Sequence, residues 1–169
     1  MIDDVLRSLE STSVAGLVRG DVPAYISWEG WVFPLVEIVH VFAISIVFGS
    51  IFMVDMRLLG LGHRDTRVSA LSRAVLPWTW VAFAVAALSG STMFISKAST
   101  YFYNVPFRLK FLVMALAGIN MLAFHFNVYR TIDQWDMGPS PRRARVAGAL
   151  SILLWLGVIY CGRWVGFTT

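Results

Sequence analysis

The stretch WVFPLVEIVHVFAISIVFGSIFMV, residues 31–54, decides the fold. Its one acid is Glu37 and its one imidazole is His40. About 20 apolar residues in helical form span a bilayer core, and lipid leaves a crossing no partner for its backbone except itself. Three further stretches read the same way. Residues 74–96 carry no charge, 111–129 carry only His125, and 146–162 carry none. The expected architecture is therefore all-α and membrane-embedded: an up-down bundle of four transmembrane helices at about 31–54, 74–96, 107–129 and 146–165.

Composition agrees. Of the 169 residues 57% are hydrophobic and 14% charged, and the mean hydropathy is +0.68, outside the soluble globular range. The net charge of +4 belongs to loops and helix ends facing a membrane surface, not to an element that reads nucleic acid. The single cysteine, Cys161, excludes a disulfide framework and any multi-cysteine metal or iron–sulfur site. Its plain reading is a small buried apolar residue. Nucleotide-binding glycine loops and nucleophile elbows are missing from the sequence, which argues against an ATPase or hydrolase.

Residues 1–30 form a separate interfacial segment ahead of the transmembrane domain at 31–169. Val5, Leu6, Leu9, Val14, Leu17 and Val18 recur at helical spacing, so residues 3–18 are expected to form one short amphipathic helix in the headgroup layer. Gly20 and Pro23 end it, and Tyr25, Trp28 and Trp31 make an aromatic approach to the bilayer. Asp3, Asp4, Glu10 and Asp21 break any leader-like run, so the first crossing is expected to act as the insertion signal. The second helix is expected to start near Pro77. Lys and Arg in the short loops set orientation. Arg57, Arg64, Arg67, Arg73, Arg130, Arg142, Arg143 and Arg145 lie on one side. Arg7, Arg19, Lys97, Arg108, Lys110 and Arg163 lie on the other. The excess places both termini outside the cytoplasm of a bacterial cell, in its cytoplasmic (inner) membrane.

Polar groups inside a bundle need partners, so the few that occur there mark candidate sites. Glu37 and His40 are three apart and share a helix face. His40 reads as a metal or haem ligand oriented by Glu37, or as packing glue with Glu37 paired to Lys110 or Arg163. A Glu-x-x-His pair belongs to di-iron bundles when it occurs twice, and here it occurs once. His125 is the second candidate ligand. Lys110, Met114, Met121 and His125 fall on roughly one stripe, which lines a haem pocket or offers soft ligands to copper. Along an up-down bundle the two histidines differ in depth by roughly 13 Å at about 1.5 Å per residue, more than a tilt of about 20° absorbs. Two sites fit that depth better than one shared haem, with Met93 as the partner of His40. Arg108, Lys110 and Arg163 lie near the level of His40, suited to haem propionates or lipid phosphate, or to snorkelling. Asn120 reads as interhelical glue. Gly49, Gly90, Gly118 and Gly148, with Ser50, Ser89 and Ser91, are expected to allow close helix approach.

His40, Gly49, Asp55-Met56-Arg57-Leu58-Leu59-Gly60, Phe107-Arg108-Leu109-Lys110, Asn120, His125 and Gly162-Arg163-Trp164 together resemble an uncharacterised family of small bacterial membrane proteins. More distantly they resemble the copper-resistance protein D-like family and the four-helix haem-binding protoporphyrinogen oxidase of bacteria. The resemblance implies a haem b or copper function through His40, with Lys110 nearby. Three functions are expected in turn. One is a haem b-binding subunit that exchanges electrons with a membrane redox partner or the quinone pool. The second is a copper-handling protein using Met114, Met121 and His125. The third is a non-catalytic anchor in a larger membrane complex, or a self-associating one.

Overall fold

A computed structural model describes residues 1–20, 31–62 and 65–168 of the chain. Pro23, Tyr25, Trp28, His63 and Arg64 lie outside the described residues. The described elements are helices: α1 (Ile2–Glu10), α2 (Ser13–Arg19), α3 (Val32–Leu59), α4 (Val68–Ser96), α5 (Ala98–Tyr103), α6 (Val105–Ala123) and α7 (Arg142–Thr168). A π-helical turn (Phe124–Val128) and a 3₁₀ segment (Tyr129–Gln134) continue α6. Four of these helical runs are long and apolar enough to cross a bilayer, α6 with its continuation counting as one. Large apolar side chains such as Leu35, Phe42, Leu88, Leu112, Ile119 and Leu153 cover the outside. In water such a surface would drive association; against lipid it costs nothing. The chain is a multi-pass helical membrane protein.

α3 packs on α4 along one side and on α7 along the other, and α7 packs in turn on α6. Two of the four glycines expected at close contacts are used. A Cβ at Gly148 would lie 3.3 Å from the Asp55 carbonyl oxygen, and one at Gly90 would lie 2.9 Å from His40 Cε1. Gly49 and Gly118 meet nothing within 4 Å. Asn120 does bridge helices, its Nδ2 donating to Ala147 O at 3.0 Å.

The helices overrun their apolar stretches at the arginine-rich end. α3 continues past Val54 through Asp55 and Arg57, both buried inside protein, and stops at Gly60. Gly60 takes φ +74°, its N–H donating to Arg57 O while Leu61 N–H reaches Met56 O, a Schellman ending. α4 starts at Val68, nine residues before the expected Pro77, which sits inside the helix. The earlier start has a tertiary cause. Asp136, in the loop before α7, accepts from Ser69 N at 2.8 Å and Ser69 Oγ at 2.6 Å. Burial pushes its carboxyl up, but the two Ser69 bonds, with Arg67 and Arg73 nearby, outweigh this and hold it below the usual carboxylate range. The anion thus satisfies orphan donors at a helix start. Asp136→Ala should lower stability by about 1 kcal/mol, as for other lost caps. The contribution is present at neutral pH and lost as acid titrates the carboxyl through its lowered folded-state value. Thermal unfolding of both proteins across the acid range checks it: the difference should vanish at the acid end.

Under this cap lies a compact core of Leu58, Val68, Val128, Ile132, Trp135 and Ala144. Arg57 runs through it at 2% exposure. Its Nε donates to Thr66 O at 2.8 Å, and one Nη reaches Asp136 O at 3.3 Å and Gly138 O at 3.5 Å.

At the opposite end the first 20 residues make two helices, not one. Thr12 breaks the run and caps α2, its hydroxyl accepting from Ala15 N at 3.3 Å. Part of the apolar face is turned onto the bundle, with α1 against α5 and α2 against α4: Leu6, Ala15 and Val18 are buried, whereas Val5, Val14 and Leu17 stay exposed. Arg19 Nη1 donates to Ser96 O at 3.0 Å, Glu10 Oε1 accepts from Ser99 N at 2.8 Å, and Tyr103 Oη donates to Asp3 at 2.7 Å. The segment is stitched across the end of the bundle by polar bonds as well as apolar burial.

Candidate functional site

His40 sits two-thirds of a helix away from the arginine-rich end, and its ring turns inward toward α4. Nδ1 lies 3.0 Å from Ser89 Oγ. Ser89 has one hydroxyl proton, with Val85 O at 2.7 Å and Ala86 O at 3.3 Å as its backbone acceptors. With that proton on a backbone carbonyl, the oxygen accepts from His40 Nδ1–H and the lone pair lies on Nε2. This is the tautomer of a ligating histidine whose other nitrogen is held by a second group. Next to Ser89, Gly90 gives the ring its space: the ring lies directly over the position a side chain would take.

Lys110 of α6 completes the site from the other side of the bundle. Its stem crosses Gly162 of α7, where a Cβ would lie 3.5 Å from Nζ and 3.6 Å from Cε. Its ammonium interacts electrostatically with His40 and with Cys161. Neither Lys110 nor Glu37 forms an ion pair within 4 Å among the described residues. All four crossings thus contribute to one level of the bundle: His40, Ser89 with Gly90, Lys110, and Cys161 with Gly162. Ser89, Gly90 and Cys161 become part of the site only through the fold. The signal that could have found them is the Ser-Gly pair itself, a small donor beside a missing side chain on the neighbouring apolar helix.

Aromatic rings close this level toward the amino-terminal end. Phe94 of α4 stacks on Phe107 of α6 at 5.5 Å and 10°, and Tyr101 and Phe107 lie 5.6 Å apart. Glu37, exposed on the turn of α3 before His40, acts on Tyr101: burial first, and the Glu37 carboxylate second, push the phenol up. Met93, half-buried, stands one turn beyond Ser89 on α4.

The remaining candidates lie elsewhere. His125 is exposed in the π-helical turn, its ring stacked on Tyr129 at 5.2 Å. Met121 is 46% exposed on the lipid side, whereas Met114 is half-buried. Arg108 is exposed, and exposed Arg163 lies over the Phe167 ring at 4.8 Å. The structure brings His40 and Lys110 together and leaves His125 and Met121 on the surface. Among the described residues no three His, Cys, Asp or Glu side chains are placed to hold a metal ion.

The fold and this interior polar level define a four-crossing helical membrane protein with one imidazole and one ammonium at its centre. Residues 24–168 match the family of unknown function DUF6644, and the chain belongs to that family. No curated protein and no solved structure matches it.

Proposed function

We propose that the chain is a haem b-binding membrane subunit that transfers electrons, with His40 as an axial ligand through Nε2. The observation that carries this reading is the Ser89 hydroxyl, 3.0 Å from Nδ1 and placed to accept its hydrogen bond, which leaves the Nε2 lone pair for a ligand inside the bundle. The donor set suits the group. Were haem bound, Met93 would be the residue to offer its iron a thioether beside His40, and Lys110 would offer a cation to a propionate. Bound haem would supply one-electron chemistry, and the chain's residues would orient the ligand, exclude water and set the local charge. The resemblance to haem-binding and copper-handling membrane proteins points to the same histidine. A copper site built from Met114, Met121 and His125 has less support, because two of the three face outward. The remaining assignments belong to the same reading: a bacterial cytoplasmic membrane, the arginine-rich end in the cytoplasm, both termini outside, and a membrane redox protein or the quinone pool as partner.

Protein purified from cells supplied with haem should show a Soret band that His40→Ala removes. Ser89→Ala should retain colour but bind haem about 10–100-fold more weakly, as expected when a ligand loses its orienting partner. A colourless wild-type preparation overturns the proposal. Full colour in His40→Ala overturns the ligand assignment. If His40 only packs, both variants should lose stability alike and neither should change an absorption spectrum.

A further inference from the structure

Asp55 takes no part in the level around His40. Fifteen residues along α3, or about 22 Å at 1.5 Å per residue, separate the two. Asp55 is 5% exposed, and its Oδ2 is buried with no hydrogen-bond partner. Ser151 of α7 is a side-chain neighbour within hydrogen-bonding reach of the carboxyl group. Arg57, two residues on, is the obvious counter-ion by sequence, but its guanidinium is committed to the carbonyls of Thr66, Asp136 and Gly138. Among the described residues, the other charged or titratable groups at this end are Asp65, Arg67 and Arg73 before and on α4, His125, Tyr129, Arg130, Asp133 and Asp136 on the chain leaving α6, and Arg142, Arg143 and Arg145 on α7. Tyr129 and Asp136 are half-buried, Asp136 being held by Ser69, and the others are exposed.

The backbone of α7 lies directly on this point. A side chain at Gly148 would meet the Asp55 carbonyl oxygen at 3.3 Å and its Cα at 3.6 Å. The α3–α7 contact therefore shuts out both water and any substitute cation. An ionised carboxylate needs several donors or a counter-charge, and a buried one lacking them neutralises instead. A carboxylic acid facing one serine hydroxyl has far less to satisfy.

We propose that Asp55 is a proton-binding site, filled while α3 and α7 are in contact and emptied only when that contact opens to water from the arginine-rich end. On opening, the carboxyl O–H bond breaks, the proton passes to a water molecule, and the carboxylate is left in the hydrated gap. Closing reverses each step. Proton binding and helix contact are then reciprocally linked. The site stands independently of any cofactor at His40.

Infrared spectroscopy of the full chain in lipid vesicles at neutral pH tests this directly. The wild type should show the carbonyl stretch of a protonated carboxyl group, and Asp55→Asn should remove it. Ser151→Ala should shift the same band, because the carbonyl loses its neighbour. Isotope-labelled aspartate makes the assignment in the unmutated protein, so the measurement survives if Asp55→Asn does not fold. With the base-catalysed intrinsic rate divided out, alkaline pH should lower the protection of the α7 amides around Gly148 in the wild type but not in Asp55→Asn. A spectrum lacking any aspartic-acid band at neutral pH overturns the proposal. So does a band untouched by both substitutions, or alkaline exchange that is equal in the two proteins.

Discussion

Arg57→Ala should destabilise the protein by about 3 kcal/mol, since each buried carbonyl left without its donor costs roughly 1–3 kcal/mol and water can recover part of that near a helix end. The effect is large because one planar fork serves three carbonyls on two separate loops. It ties the end of α3 to Thr66 ahead of α4 and to Asp136 and Gly138 ahead of α7. The same Asp136 also accepts from Val68 N through its carbonyl and caps α4 through its carboxylate. Loss of Arg57 should therefore loosen the cap of α4 as well as the loop that carries it. Arg57→Lys should recover only part of the loss, because an ammonium cannot reproduce the fork. Thermal unfolding in detergent micelles or vesicles gives the comparison. An alanine variant within 0.5 kcal/mol of wild type, the range of ordinary surface substitutions at about ±0.5 kcal/mol, would show that the fork does not hold this end together.

Gly90→Leu should cost about 1–3 kcal/mol through overpacking and displace the His40 ring. The Cβ alone would lie 2.9 Å from Cε1, closer than two carbons approach without one of them moving. Alanine asks the ring to yield by a few tenths of an ångström while keeping its bond to Ser89. Leucine adds atoms where the ring itself stands, so that bond must break. A graded series is expected, with Gly90→Ala mild and Gly90→Leu severe in both stability and any haem absorbance. Equal behaviour of the two would mean that the ring is free to leave α4 and that Ser89 does not hold it.

The polar residues near helix ends expose what a linear reading misses. Asp55 and Arg57 read as the stop of a crossing, yet the helix carries both of them another turn into protein, not water. Lys110 and Arg163 read as equivalent cations at one level, yet one lies inside over Gly162 and the other outside over Phe167. His40 and His125 are alike in sequence, each one imidazole in an apolar run, and the fold separates them.

Hydrophobic run length determined, from the sequence alone, that four segments are helices in lipid, because bilayer thickness and backbone hydrogen bonding permit nothing else. Local caps were not legible in the same way: apolar spacing over residues 3–18 hides the break at Thr12, and the apolar run stops at Val54, short of the cap at Gly60. Only the tertiary structure decided which face of each helix looks inward, where α4 begins, and which polar groups meet. In a membrane both faces of a helix are apolar, so the periodic signal that marks the buried side of a soluble helix is missing. Inward and outward positions become distinct only when a neighbouring helix supplies a Ser89, a Gly90 or a Gly162.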